Sequence, residues 1–262
     1  LTDTRLTKQK LHEGTLMPTI SYQLYSSRHW TAEETFKMLA EAGYQEVEGV
    51  GPHYEDLAKT KALLESHGMT MPSGHFALDF VEADPAKVIE IADVLGISAV
   101  VIPFIAPDER PTTLAGWQAL GARLAKAGEP IVAAGLDYAY HNHDFEFVPV
   151  EGQMPLDVIA QASDDIKLEL DLAWVAVGGE DPVAWLKKYA GRVIIAHVKD
   201  IAPKGENTDE DGWADVGHGT MDWKTIKPAM DAAGVNRYVI EHDNPSNHIR
   251  MASRSMATVQ AF

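Results

Sequence analysis

The chain of 262 residues has no cysteine. Disulfides and thiolate ligands are thereby excluded, and any bound metal must be held by His, Asp, Glu or water, which suits a divalent ion in an oxygen and imidazole site. Positive charge is scarce: 22 Lys and Arg against 39 Asp and Glu give a net charge of −17. Such a surface does not suit a nucleic-acid partner, and its first consequence is solubility. No apolar run approaches the ~20 residues that cross a bilayer, and Leu1 to Pro18 lacks the apolar core of a signal peptide. The expectation is a cytoplasmic protein with no membrane partner, or a periplasmic one if a signal segment was removed before Leu1. Low-complexity stretches and composition breaks are also missing, so residues 1–262 are expected to form one domain with 1–18 as a polar N-terminal extension.

What is present is a repeated unit. Thr19 to Tyr25 alternates like a strand, and Thr31 with Glu34 forms a capping box for a helix that stops at Gly43. Strand and helix then recur: Tyr44 to Val50 with Tyr54 to His67, Thr70 to Phe76 with Pro85 to Leu95, and Ala99 to Phe104 with a helical region from Thr113 to Ala134, kinked at Gly128-Glu129-Pro130. Leu136 to Asn142 precedes a helix from Pro155 to Ala162, and Ile166 to Asp171 precedes one starting near Asp181-Pro182. Arg192 to Val198 leads into a long polar loop, Asp200 to Thr220, that reads as a lid or substrate loop. A helix from Trp223 to Ala233, a strand from Arg237 to His242 and a last helix from Asn247 to Phe262 complete the chain. Eight alternating units predict an α/β fold, a (β/α)8 TIM barrel. The competing doubly wound sheet would offer a glycine-rich turn after its first strand, where this chain has Ser26-Ser27-Arg28-His29.

In such barrels chemistry sits at the carboxyl ends of the strands. Four apolar segments end in candidate ligands, delivering His141, Asp171, His197 and Glu241 to one mouth. Residues two apart share a face, so His143 accompanies His141, Glu169 accompanies Asp171, and Lys199 accompanies His197. Four buried polar groups without a common partner would each be costly, and a cation is the partner that satisfies them together. Glu146 is an alternative ligand to His141 if the strand bends. Candidate substrate contacts are Glu48, His75, Phe104 and Trp174.

These pieces carry a resemblance. Gly43-Tyr44-Gln45-Glu46-Val47-Glu48, Tyr140-His141-Asn142-His143, Leu170-Asp171, His197-Val198-Lys199-Asp200, Gly217 to Trp223 and Ile240-Glu241 resemble the xylose isomerase-like sugar phosphate isomerase/epimerase superfamily. The resemblance implies one divalent ion at His141, Asp171, His197 and Glu241, with manganese first and Mg, Co, Zn or Fe as alternatives. It also implies a small carbohydrate substrate and a homo-oligomer, dimer or tetramer. One position departs: ketose epimerases of the superfamily place a glutamate where this chain has His141. A two-carboxylate epimerisation is therefore in doubt, and a single base, His143, is the candidate for removing a proton next to a carbonyl, with Lys199 and Glu241 assisting. The expected activity is a metal-dependent sugar isomerase or epimerase working through an enediolate. A lyase on keto-sugars or 3-oxo-glycosides shares the same first step. A non-catalytic sugar-binding or partner subunit is the alternative from another class, and a multi-metal nuclease is disfavoured by the acidic surface.

Overall fold

The computed structural model describes residues 18–262, so the predicted extension lies, Pro18 apart, outside the described residues. Eight parallel strands close on themselves: Thr19–Gln23, Glu46–Gly49, Thr70–His75, Ala99–Ile102, Asp137–His141, Ile166–Asp171, Val193–Val198 and Arg237–Ile240. The first pairs with the last, from Thr19 opposite Arg237 to Tyr22 opposite Ile240. Helices cover the outside, giving the (β/α)8 barrel that the alternation predicts.

Strand periodicity divides the core. Outward residues such as Tyr22, Val47, Val100, Tyr140, Leu170 and Ile240 pack with the helices in one large apolar cluster. Inward residues Ala99, Val101, Ala139, Ile195 and Val239 form a separate small plug within the barrel. Above that plug the inward positions turn polar, with Gln23, Glu48, Glu169, His141, Asp171 and His197 all buried. Small apolar residues thus close the bottom of the barrel and leave its carboxyl end for titratable groups.

Helix starts follow side-chain caps: Thr31 and Glu34 form the expected capping box, and Asp56, Asp84, Thr113, Asp181 and Asn247 each accept a backbone N–H of the first turn. Leu114–Ala133 runs as one helix through Pro130. Gly128 within it answers to packing, since a Cβ there would strike the Tyr138 ring. Two short helices escape the sequence pattern, Leu78–Ala83 and Leu172–Val177. The first strand ends at Gln23, earlier than its alternation suggests, because the Gln23 side chain accepts the Tyr25 N–H and opens a 3-10 turn at Leu24–Ser27.

The segment expected to act as a lid is anchored. Asp200–Ile201 pairs antiparallel with Trp213–Ala214, and the buried Asp200 carboxylate accepts from the Gly217 and Met221 backbone N–H groups and from Trp223 Nε1. Glu210 and Asp215 meet Arg250 on the last helix, His248–Gln260, at 2.9 and 3.0 Å. No described helix is long and apolar enough to cross a membrane.

Candidate active site

The register of strands five to seven sets the geometry. His141 lies opposite Glu169, and Asp171 opposite His197. Just beyond the fifth strand, Asn142 grips the backbone of Asp171 from both sides: its Oδ1 accepts the Asp171 N–H at 3.0 Å and its Nδ2 donates to the Asp171 carbonyl at 3.2 Å. One oxygen of Asp171 also caps the helix Leu172–Val177, accepting from Ala173 and Trp174 N–H groups, each at 2.9 Å. Its other oxygen is left for the barrel interior.

His141, Asp171, His197 and Glu241 form one buried group whose donor atoms lie within 4.8 Å of one another. His75, His141, Glu169 and His197 form a second set that shares two imidazoles with the first. The contacts of His197 distinguish them. Its Nε2 lies 2.8 Å from Glu48 Oε1 and 3.0 Å from Glu169 Oε1, while its Nδ1 lies 2.9 Å from Glu241 Oε2 and 3.9 Å from Asp171 Oδ2. A neutral imidazole that donates Nε2–H to Glu48 presents an Nδ1 lone pair to two carboxylates, and either a proton or a cation must lie between them. Glu48 is held in turn by Gln23 Nε2 at 2.7 Å and Ser73 Oγ at 2.5 Å. On the deeper side Glu48 and Glu169 therefore orient His197, and the upper set is the candidate ligand group.

Two further observations fit a cation at the upper set. Asp171 Oδ2 is buried without an aligned hydrogen bond, as is His141 Nδ1, which lies 3.1 Å from Glu169 Oε1. Carboxylates also outnumber fixed positive charge: Lys199, fully buried, lies 3.2 Å from Asp171, 2.9 Å from Glu241 and 2.8 Å from Asp243. Two imidazoles and two carboxylates suit a divalent ion with open positions, and the arrangement does not select among metals.

Electrostatics follow from burial and pairing. Burial alone would raise Glu48 and Glu241. His75 and His197 outweigh it at Glu48, as Lys199 and His197 do at Glu241, and both carboxyls are held well below the usual range. Burial lowers His141, reinforced by His197. Burial, followed by the Lys199 charge, brings His143 down to about 3, so it stands neutral. Burial would also lower His75, but Glu48 and Glu169 push it up to about 10.

Glu241, His141, His143, His75 and Asp243 face a cavity of about 1050 Å³. Phe104 is on its wall, edge-on to the His143 ring with centroids 5.2 Å apart. Other expected site residues sit elsewhere. Glu48 is fully buried beneath the imidazoles, where both of its oxygens are occupied, and it does not reach the cavity wall as a substrate contact would. Trp174 faces a smaller neighbouring cavity of about 620 Å³ and meets Trp213 edge-on with centroids 4.7 Å apart. Lys199 stands behind Glu241 and Asp243, off the cavity wall. Glu146, the alternative ligand, is not brought to the group: its oxygens accept Tyr140 OH at 2.6 Å and the His143 N–H at 2.8 Å, so it braces the turn that presents His143. Glu169 and Asn142 carry more of the site than their sequence context suggests. Glu169 was signalled by its shared face with Asp171, whereas nothing in the sequence pairs Asn142 with Asp171.

The comparisons agree with the barrel fold. Among sequence relatives, an inosose dehydratase from Lacticaseibacillus casei is 24% identical over 244 residues, covering 80% of this chain and 81% of the relative. A rhizopine catabolism protein from Rhizobium meliloti is 24% identical over 187 residues, 64% of this chain and 57% of that protein. Among solved structures, a sugar phosphate isomerase/epimerase from Parabacteroides distasonis superposes with a TM-score of 0.78 at 22% identity, covering 97% of each chain. A probable 3-DHS dehydratase from Bacillus anthracis gives 0.72 at 14% identity, over 92% of this chain and 98% of that one. With its closed eight-stranded barrel and a family profile matched over residues 36–260, the chain belongs to the xylose isomerase-like TIM barrel family.

Proposed function

We propose that this chain is a metal-dependent lyase of the dehydratase type, acting on a polyhydroxylated ketone such as an inosose or a keto-sugar. The carrying observation is the asymmetry of the cavity floor. A reversal of stereochemistry wants an ionised carboxylate on each side of the substrate, as in two-base epimerisation. Here the strand-five side offers imidazoles, His141 and His143, while the strand-eight carboxylate, Glu241, is already engaged by Lys199 and His197. One-sided proton removal followed by loss of a neighbouring group needs a single base. The names of the inosose dehydratase relatives support the same direction.

His141, Asp171, His197 and Glu241 would hold the divalent ion. Its chemistry, when bound, is to polarise the substrate carbonyl and a neighbouring hydroxyl and so acidify the adjacent C–H. His143 lines the cavity, and its neutral imidazole receives that proton and returns it to the departing hydroxyl, which leaves as water. A weakly basic imidazole requires an acidified C–H. Lys199, behind the floor, keeps Glu241 ionised and in place, and Glu48 fixes the tautomer of His197.

The test incubates manganese-loaded protein in deuterated water with scyllo-inosose and with a panel of keto-sugars. Deuterium uptake accompanied by loss of water or of another leaving group supports the lyase. Uptake with the carbon skeleton and all its oxygens retained favours an isomerase. Sugar binding by protein that contains no divalent ion and exchanges no proton ends both readings in favour of a binding subunit.

A further inference from the structure

The cavity above the site is larger than one polyol ring requires. At about 1050 Å³ it lies just above the ~300–1,000 Å³ range that suits drug-sized ligands. Its two ends also differ in chemistry. The floor carries imidazoles and carboxylates, whereas the wall following strands two and three is mainly apolar, with Val50, Pro52, Tyr54, Phe76, Phe80 and Ile91 and with Glu55 and Lys87 as its charged members.

The aromatic part of that wall is built into the barrel. Tyr54 stacks on Phe76 with centroids 4.5 Å apart and planes 8° apart, and Phe76 meets Phe80 at 6.4 Å. Room for Tyr54 comes from Gly49 and Gly74, register partners on adjacent strands, where a Cβ on either would strike the Tyr54 hydroxyl. That hydroxyl is sealed against the strands without a hydrogen-bond partner, so the residue presents ring rather than donor to the cavity. Phe104 and Tyr25, also on the wall, leave 44% and 43% of their surface open. A second sugar against this wall would surrender hydration of its hydroxyls with little in return, whereas a flat apolar group gains by every unit of area it covers.

Resting on the polyhydroxylated-ketone reading above, we infer that this wall is a second subsite, which takes a flat aromatic substituent joined to the ring held at the floor. The substrate is then two-part, a keto-sugar carrying an aryl-type group. Such a ligand places its oxygens on His75, His143 and Glu241 and its ring beside Tyr54, Phe76 and Phe80. Both halves lie in one continuous cavity.

The experiment compares phenyl and methyl 3-keto-β-D-glucopyranoside on the manganese-loaded full chain, following deuterium uptake from D2O and, separately, binding by calorimetry. The phenyl compound is expected to show KM and Kd at least about tenfold lower than the methyl compound. Phe80→Leu, which keeps an apolar side chain and removes the flat ring, is expected to shrink that ratio several-fold. If this variant fails to fold, the comparison on the unaltered chain still decides. Equal affinity for the two compounds with exchange intact overturns the subsite and leaves the enolisation standing. Tight phenyl binding with exchange on neither compound overturns the enolisation and upholds the subsite. A 3-keto-cellobiose probe that binds as tightly as the phenyl compound overturns the aromatic assignment.

Discussion

Glu146 and His143 stand three residues apart and divide the work of one turn. Glu146 is fully buried, and burial pushes its carboxyl up to about 7 despite the hydrogen bonds from Tyr140 and His143. An unfolded chain titrates the same group near ~4.3. Between those values the folded state holds a proton that the unfolded state has lost. The stability tied to Glu146 is therefore complete below ~4.3 and is lost as pH rises through about 7. Glu146→Gln keeps a partner for the Tyr140 hydroxyl and the His143 N–H without titrating. Urea denaturation of this variant is expected to show a flatter fall in stability between pH 5 and 7.5 than the parent chain, on the order of 1–3 kcal/mol over the window. An unchanged slope would mean that the native carboxyl is already ionised at pH 5. For His143 the expectation is kinetic. His143→Ala should lower kcat by ~10²- to 10⁴-fold while the bound ion is retained, and a variant with full activity and full metal content would remove it as the proton acceptor.

At the scale of elements, the long connection after strand seven behaves as a strapped segment. Asp200 is fully buried and accepts from four donors: the N–H groups of Ile201, Gly217 and Met221 and the Trp223 indole. Asp200→Ala strands those donors and is expected to cost ~3–5 kcal/mol of stability and to open 200–220 to proteolysis; cleavage no faster than in the parent chain would show that the ribbon and the Arg250 contacts suffice. The sequence describes this loop as polar and long, which is correct and uninformative, since its anchors are the buried Asp200 within it and Arg250 on a helix that begins almost fifty residues after Asp200. The strands themselves were legible because period-two alternation and terminal polar residues are local signals. So was the meeting of His141, Asp171, His197 and Glu241, since each ends such a run. What was not legible depends on closure of the barrel. Glu48 meets His197 across 149 residues, and that contact turns an expected substrate residue into the support of a candidate ligand. The helices Leu78–Ala83 and Leu172–Val177 are too short to show a periodic face, and the second exists because Asp171 caps it from the strand end.

For the whole molecule the governing quantity is uncompensated negative charge. The chain's net charge is −17, and among the carboxylates that make it up Glu48, Glu169, Asp171 and Glu241 lie buried at one end of the barrel, with Lys199 the one ammonium buried among them. Without a cation, the fold holds these carboxylates together through protonated His75 and His197, whose pKa values are raised by the same carboxylates against the effect of burial. On the proposed reading, a divalent ion at the upper set would replace that protonation and would bind only the folded chain, because the candidate ligands come from four strands spanning residues 141 to 241. Linkage then makes stability depend on ion concentration: at a hundredfold excess over Kd the gain is ~2.7 kcal/mol, or roughly 5–10 °C in Tm for a chain of this size. Titrating manganese into chelator-stripped protein should raise Tm steadily, with about one ion bound per chain by elemental analysis. Asp171→Asn, which retains the backbone grip of Asn142 and an oxygen to cap the following helix, should abolish most of that rise while leaving the metal-free Tm close to the parent's. If Tm of the parent chain is indifferent to manganese, magnesium, cobalt, zinc and iron alike, the buried acidic floor is held by protons alone and the metal-dependent reading fails.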